Sequence, residues 1–287
     1  MASAEPFDTE HPALSRRREL GATSARSLLL TVLGEFVLRR PEPVWTQTLI
    51  DVLAELGVEQ KSARQALART AAEGLLVSDR SGRRVRWSLS ASGRRLLTDG
   101  AARIYGFGTR TAAWDGRWLV LLVSVPESRR QLRHRLRTRL AWAGLGSPTP
   151  GVWVTPDAAK QDEVARVIAD LELTAVSSSF VGPFGAIGAE RDVVAQAWDL
   201  AGIEGAYADF LARFGSAAPV TPAEVMTAQI HLVHAWRRFP FLDPSLPGEL
   251  LPDGWAGARA AALFGTLHAQ WDEPAVRHWR ALQGSVS

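Results

Sequence analysis

The chain has 287 residues, of which 46% are hydrophobic and 22% are charged, and this composition is that of a globular protein long enough for more than one hydrophobic core. It has no cysteine, which excludes disulfides, thiol catalysis and cysteine-ligated metals. The apolar runs are too short to span a bilayer and residues 1–20 lack an apolar signal-peptide core, so we expect a soluble, cytoplasmic protein with no membrane partner.

The net charge of +3 conceals an uneven distribution along the chain. Residues 1–113 carry 17 basic and 12 acidic groups, and residues 114–146 carry 7 and 2. Residues 147–287 reverse the balance, with 9 basic and 16 acidic groups. The first half should therefore attract a polyanion, and the last part should repel one.

The N-terminal part is predicted to be helical after a flexible leader at residues 1–20. Apolar spacing predicts a helix from Ser24 to about Arg39. A second helix should be capped by Thr46 and end at Gly57, and a third should cover Ser62–Glu73.

A β-hairpin is predicted next, from the strands LLVS (75–78) and RVRWSLS (84–90), joined by DRSG (79–82). A further helix begins near Ser92. Three helices followed by a hairpin are the layout of a winged helix-turn-helix, which we assign to residues 21–110.

Basic residues concentrate in the third helix and the hairpin, where 60–110 holds 11 basic and 3 acidic groups. The third helix should read base edges, and the hairpin arginines should contact the DNA backbone. The alternative is a solvated charged surface used for protein contact, and Glu59 is an unusual residue at the helix cap. The predicted DNA-binding residues are Gln60, Lys61, Ser62, Arg64, Gln65, Arg69, Arg80, Arg83, Arg84 and Arg86.

Residues 111–188 alternate strands and helices and predict a small ferredoxin-like α+β domain. Its first helix, within SRRQLRHRLRTRL, has Leu132, Leu136 and Leu140 as a buried line. The arginines of this helix are open to three interpretations. They extend a DNA footprint, form an ordinary solvated face, or pair with acidic groups of the C-terminal region.

Residues 189–287 are predicted to be helical, with a capping box at Thr221 and Glu224. His231 and His234 lie three apart, which by itself favours a structural role over a metal site. An effector-binding segment is predicted where arginine stands beside aromatic residues, at Trp236, Arg237, Arg238 and Phe239. In the alternative, the aromatic rings pin the following loop to a core while the arginines pair with acidic residues.

Enzyme signatures are missing from the sequence. There is no Walker loop, no G-x-S-x-G elbow and no H-E-x-x-H. We therefore predict a protein that is not an enzyme, with no catalytic residues, no metal and no cofactor.

The chain resembles the PaaX family, repressors of phenylacetate degradation, across most of its length. The resemblance is carried by SARSLLLTVLGEF, by WDGRWLVLLVSVPESRRQLRHRLRTRLAWAGLGSPTPGVWVTP and above all by WRRFPFLDPSLPGELLPDGWAGARA. It implies a winged helix, a central domain similar to small CRISPR-associated nucleases, and a helical C-terminal effector and dimerisation domain. It also implies a homodimer on double-stranded, palindromic operator DNA, released by an aryl-acyl-CoA such as phenylacetyl-CoA.

Nuclease activity does not follow from that resemblance. The related nucleases use a metal-binding aspartate at the end of their first strand, whereas here Ser124 and Val125 occupy the region. The prediction is thus an α+β repressor of an aromatic-acid catabolic operon. Two alternatives remain: a regulator of the same family that answers to another aromatic acid or acyl-CoA, and an acyl-CoA-binding protein or enzyme that does not bind DNA.

Overall fold

The computed structural model describes residues 24–40, 42–108 and 113–285, so the leader predicted for residues 1–20 lies outside the described part. The chain forms two compact units that do not follow chain order. The winged-helix unit combines the described parts of 20–110 with 206–239 and 256–285, and the central unit combines those of 111–205 with 240–255.

Helices and strands are numbered in chain order. The α-helices are α1 (Ala25–Val32), α2 (Thr46–Glu55), α3 (Gln60–Ala72), α4 (Ala91–Gly106), α5 (Arg130–Trp142), α6 (Gln161–Asp170), α7 (Glu190–Ala197), α8 (Leu200–Gly215), α9 (Pro222–Trp236), α10 (Phe239–Leu242) and α11 (Gly257–Gly284). The strands are β1 (Val44–Trp45), β2 (Leu76–Ser81), β3 (Arg84–Leu89), β4 (Arg117–Val123), β5 (Gly146–Thr149), β6 (Val152–Thr155) and β7 (Ser177–Pro183).

The first helix begins where the sequence predicts, because the Ser24 side chain caps α1 in a reciprocal capping box with Ser27. It does not continue as a regular α-helix to Arg39. A π-helical turn, Leu33–Val37, follows it, closed by a hydrogen bond from the Leu38 N–H to the Leu33 carbonyl. A π turn inserts extra backbone and so changes the direction in which the following side chains point.

The predicted role of Thr46 as a helix cap is wrong. The N-cap of α2 is Trp45, and it makes no side-chain capping bond. The Thr46 hydroxyl instead donates to the Val85 carbonyl, at 3.0 Å, and accepts from the Trp87 indole nitrogen, at 2.8 Å. Thr46 therefore fastens α2 to strand β3, since both of its hydrogen-bonding capacities are used there.

The hairpin is longer than predicted. Asp79, Arg80 and Ser81 belong to strand β2, and only Gly82 and Arg83 form the turn. Gly82 has a φ of +63°, which glycine adopts without strain at the first position of a tight hairpin turn. The antiparallel sheet has the order β1-β3-β2. The predicted loop is strand because ladder pairing with β3 continues up to Ser81.

The C-terminal helices differ from the predicted pattern in two places. The segment predicted as one or two helices is two, because α7 ends at Ala197 and α8 begins at Leu200. Helix α11 continues through Pro274, although proline costs an interior helix about 3 kcal/mol. Trp271 and Trp279, on either side of that proline, are buried, and their burial offsets the cost.

Within the winged-helix unit, the C-terminal helices pack directly on the N-terminal helices. The Phe36 ring stacks on Trp279 of α11, with ring centroids 5.1 Å apart. The Trp236 indole of α9 donates to the Ile104 carbonyl of α4, at 3.2 Å. The predicted capping box of α9 is present, since the Thr221 side chain accepts from the Glu224 N–H and the Glu224 carboxylate accepts from the Thr221 N–H.

The central unit contains an antiparallel sheet of order β5-β6-β4-β7. Residues of α5 and α6 cover one face of it, with Leu136 and Leu140 in that core as the sequence predicts. Helix α7, with Leu246 and Leu250, packs on the other face. Strand β5 was not predicted, because GSPT lacks apolar alternation and contains glycine and proline, which are depleted in strands.

No helix in the described ranges combines the length and the apolar character needed to cross a lipid bilayer.

Candidate nucleic-acid interface

Helix α3 presents a polar face that its buried face holds in place. Ala63, Ala66 and Leu67 are buried. The opposite side exposes Lys61, Arg64, Gln65, Gln60 and Arg69, while Ser62 is half-buried. Within the described residues, none of the side chains of Lys61, Arg64 and Gln65 makes a hydrogen bond or ion pair. They are thus available to base edges or phosphates.

The start of α3 lacks a side-chain cap, as the unusual residue at its N-cap indicates. Its N-cap is Glu59, whose side chain makes no capping hydrogen bond. The N–H groups of the first turn therefore lack the side-chain partner that Ser, Thr or Asp would supply. A phosphate oxygen could accept from such groups.

The hairpin of strands β2 and β3 is the wing of the fold, and its four predicted arginines fall into two pairs. Arg84 and Arg86 place their guanidinium groups over the Trp45 ring, 5.9 Å and 5.4 Å from its centroid. Arg86 also forms an ion pair with Asp79, at 2.5 Å. Arg80 and Arg83 are exposed and, within the described residues, their side chains make no such contact. The available positive charge therefore lies at the tip of the wing, whereas the two arginines nearer its base are engaged by contacts within the fold.

A buried carboxylate lies among the helices of the winged-helix unit, and no sequence pattern singled it out. Glu35, in the π turn, accepts from Tyr105, from the Gln229 amide at 3.0 Å, and bonds the His268 ring at 2.9 Å. These partners lie on α4, α9 and α11. The available signal was one glutamate between Leu33 and Phe36 in an otherwise apolar helix.

The electrostatics of this cluster favour the charged carboxylate. Burial by itself raises the pKa of Glu35, but the hydrogen bond and charge of His268 and the donors Tyr105 and Gln229 outweigh it and lower the pKa below its ordinary value. Burial, with the charge and hydrogen bond of Glu35, raises the pKa of the Tyr105 hydroxyl. Tyr105 therefore stays a donor.

The predicted effector-binding segment divides into buried rings and partly accessible arginines. Trp236 and Phe239 are 0% exposed. They lie in an aromatic cluster where Trp236 stacks on Phe264, at 4.8 Å, and Phe239 stacks on Tyr207, at 4.3 Å. Both arginines that separate the rings in sequence are half-buried, and the Arg238 guanidinium lies 5.3 Å from the Phe239 ring centroid.

Positive and titratable groups gather beside Arg237. Burial, together with the charge of Arg26, lowers the pKa of Arg237. Burial, and then the charges of Arg237, His231 and Arg213, lower the pKa of His234 to about 4. His234 is consequently neutral at pH 7, since protonation would bury another cation among them.

The His234 ring is oriented by one hydrogen bond. Its Nδ1 lies 3.2 Å from the Thr31 hydroxyl, which itself donates to the Ser27 carbonyl. Nδ1 therefore carries the hydrogen, because the only proton of Thr31 is already used. Nε2 is buried and has no hydrogen-bond partner among the described residues. In the described ranges no group of three or more His, Asp or Glu side chains is arranged to hold a metal ion.

Comparison with known proteins places this geometry in a family. Residues 24–93 match the model "PaaX-like protein", residues 111–194 match "PaaX protein central Cas2-like domain", and residues 198–281 match "PaaX-like protein C-terminal domain". The transcriptional repressor PaaX of Escherichia coli strain K12 is 30% identical over 254 residues, which is 84% of this chain and 78% of the repressor. The chain belongs to the PaaX family.

The PaaX assignment agrees with the observed fold and with the expectation from the sequence. The curated PaaX relative is a transcriptional repressor. Among solved structures, the uncharacterized protein Rv0674 from Mycobacterium tuberculosis is similar, with a TM-score of 0.64 and 25% identity. That match covers 91% of this chain and 99% of Rv0674. The PaaX architecture thus extends over nearly the whole molecule.

Proposed function

We propose that this PaaX-family transcriptional repressor binds double-stranded operator DNA through α3 and the wing. The observation that carries the proposal is the exposed face of α3, where Lys61, Arg64 and Gln65 have no partners within the described residues. Arginine and glutamine make bidentate contacts to guanine and adenine in the major groove. Arg80 and Arg83 supply sequence-independent attraction to the backbone.

The proposed repressor acts as a homodimer in the cytoplasm on a palindromic site. Helix-turn-helix dimers meet half-sites about 34 Å apart, one turn of the duplex, and operator symmetry then matches protein symmetry. The family resemblance supports this arrangement. Analytical ultracentrifugation with and without operator DNA tests it. Binding of one protomer per site would contradict it.

The proposed signal is an aryl-acyl-CoA, such as phenylacetyl-CoA, that releases the repressor from an aromatic-acid catabolic operon. Arg237 and Arg238 are the candidate contacts to its anionic groups, because arginine forms strong, bidentate bonds to phosphate. In the part of the chain that the structure describes, the buried Nε of Arg237 has no hydrogen-bond partner. Trp236 and Phe239 have no exposed surface, so their proposed part is to form the packed base beneath these arginines.

A thermal-shift panel tests the effector. Phenylacetyl-CoA, other acyl-CoA thioesters, free CoA and free aromatic acids are each added to the full chain. A ligand that prefers the native state stabilises it by about 2.7 kcal/mol when present at 100 times its Kd. A shift with phenylacetyl-CoA, and release of a fluorescent operator duplex by the same compound, support the proposal. A response only to a free acid or to another thioester points to the alternative regulators.

The Arg237→Gln variant makes the test specific. It should bind operator as the wild type does and lose the shift and the release, because the effector's anionic groups lose their partner. Arg277→Gln, at an exposed position of α11, is the matched control. Failure of the wild type to bind its own upstream region, together with turnover of an acyl-CoA, would instead support an acyl-CoA enzyme.

A further inference from the structure

Helix α5 of the central unit carries a row of arginines that the winged helix does not account for. Residues 130–142 hold five arginines and no acidic residue. Leu136 and Leu140 bury the adjacent side of the helix in the central core, and Arg133 lies at the edge of that buried side. Arg130, Arg133 and Arg137 lie three and four residues apart, so they share one outward flank. We call these three residues the α5 stripe.

The α5 stripe has no partner within the unit. Arg130 and Arg137 are exposed and Arg133 is half-buried. Within the described residues, none of the three side chains makes a hydrogen bond or ion pair. Arg139, on the other flank, differs, because it forms an ion pair with Asp170 at 2.6 Å. The stripe is thus free to meet an external group.

Stability does not explain the stripe. Like charges at this spacing repel each other by a few tenths of a kcal/mol per pair, about as much as opposite charges attract. Arg130 occupies the first turn of α5, where the helix dipole disfavours a cation. A fold that needed only solubility would be served as well by mixed charges on this flank. The arrangement therefore indicates a partner that neutralises it.

The spacing and the chemistry of the stripe fit duplex DNA. The three arginines extend over about 10 Å at 1.5 Å per residue. One strand of duplex presents about three phosphates over the same axial length, at 3.4 Å each. The stripe has no aromatic ring for base stacking, which single-stranded nucleic acid would use. It also lacks the aromatic or apolar anchor that holds a protein interface together.

We propose that the α5 stripe is a second, sequence-independent phosphate-binding surface for duplex DNA, additional to the contacts of α3 and the wing. This inference rests on the proposed function, since it assumes that the protein binds DNA. The stripe adds affinity and length dependence, and α3 supplies base preference. Arg130, Arg133 and Arg137 each contribute one phosphate contact.

The test compares two triple variants of the full chain. One is Arg130→Gln/Arg133→Gln/Arg137→Gln, in which glutamine preserves helix propensity. The control is Arg117→Gln/Arg166→Gln/Arg191→Gln, which removes the same charge from exposed positions of the same central unit. Circular dichroism and melting temperature verify that both are folded. Each is titrated, over a series of salt concentrations, into fluorescent random-sequence duplexes of about two and about four helical turns, roughly 20 and 40 base pairs.

Loss of three phosphate contacts lowers the slope of log K against log salt by about 2.7. We expect this change, and a loss of affinity of at least about tenfold at low salt, on the longer duplex and in the stripe variant alone. Equal slopes in the two variants would overturn the inference. So would a stripe variant whose defect is confined to self-association in sedimentation, because the partner would then be acidic protein.

The proposed function fails in a distinguishable way. If the wild type binds neither duplex and no fragment of its own upstream region, DNA binding itself is wrong. If the wild type binds operator selectively and the stripe variant matches its control, only the stripe is wrong.

Discussion

The Glu35 carboxylate accepts a hydrogen bond from the Gln229 amide at 3.0 Å, across 194 positions of the chain. Glu35 belongs to the first helical segment of the winged helix, and Gln229 to a C-terminal helix. With Tyr105 and His268, the same carboxylate joins four helical segments. Polar contacts therefore connect α9 and α11 to the helices that support α3.

The Glu35→Gln substitution should be strongly destabilising. Its amide oxygen cannot take over the hydrogen bonds of Tyr105, Gln229 and His268, and its negative charge is lost. Removing the charged member of a buried hydrogen-bonded network costs about 3–5 kcal/mol. Urea unfolding at pH 7 measures the loss. Glu273→Gln is the control, since that side chain is 84% exposed and should change stability by less than about 0.5 kcal/mol.

The effect of Glu35 should also depend on pH in a defined direction. The pKa of Glu35 is lowered below its ordinary value of 4.5 in the folded state, so its stabilisation is complete above that pH. It is lost as the pH falls through the lower folded value. The unfolding curves of wild type and Glu35→Gln should therefore converge at acid pH. A difference that stayed constant would exclude the charge as the cause.

The His234 ring should make the protein less stable on mild acidification. Its pKa falls from an ordinary value of 6.5 to about 4 on folding, so the unfolded chain binds the proton more tightly. The stability is complete above about pH 6.5 and is lost as the pH falls toward 4. Between pH 7.5 and 5 the expected loss is about 2 kcal/mol. His234→Gln should remove this dependence in urea unfolding, and His278→Gln is the control.

Replacing Arg80 and Arg83 with alanine should weaken binding to every duplex. Both side chains are exposed at the tip of the wing and contribute phosphate contacts, so the salt slope should decrease by about 2. Fluorescence anisotropy over a salt series measures it. Arg259→Ala/Arg277→Ala removes the same charge from exposed positions of α11 in the same unit. A slope equal to that of this control would remove the wing tip from the interface.

The Asp79→Asn substitution should tighten non-specific binding. Asp79 holds Arg86 in an ion pair at 2.5 Å, and its removal frees that guanidinium and deletes a repulsive charge from the wing. We expect a severalfold gain on random duplex at low salt. Asp51→Asn, on α2, serves as the control. Weaker binding would mean that the ion pair is needed to shape the wing.

The Arg64→Ala substitution should relax base preference at one operator position and its symmetry mate. The loss of a bidentate base contact costs about 1–3 kcal/mol against the preferred site and much less against random duplex. Selection of binding sites from a random library, with wild type and variant in parallel, measures it. An unchanged preference profile would assign base recognition to another residue.

Much of the fold follows from the sequence because its signals are local. Helical spacing marks Leu28, Leu29 and Val32 as a buried face, and Ser24 and Thr221 mark helix starts. The family motifs give the order of the domains. Local patterns fail where distant contacts override them, as at Thr46, which binds Val85 and Trp87 of the wing, and at Pro274, which burial of its neighbours keeps within a helix.

In the candidate DNA interface, too, the sequence predicts some features and only the tertiary structure decides others. The sequence identifies the arginines of the wing as a group. Only the packed sheet separates them, because β1 brings Trp45 beside β3 and so engages Arg84 and Arg86 while Arg80 and Arg83 stay free within the described residues.

The sequence by itself determines which residues form helices and strands, which faces are apolar and where positive charge is concentrated, since each property is encoded within a few turns of chain. Only the tertiary structure decides that 206–239 and 256–285 join the winged helix in one unit, and that Glu35 meets Gln229 and His268 there. The physical reason is that periodicity specifies that a face must be buried, while shape and hydrogen-bonding complementarity, formed over some 200 residues, select the segment that buries it.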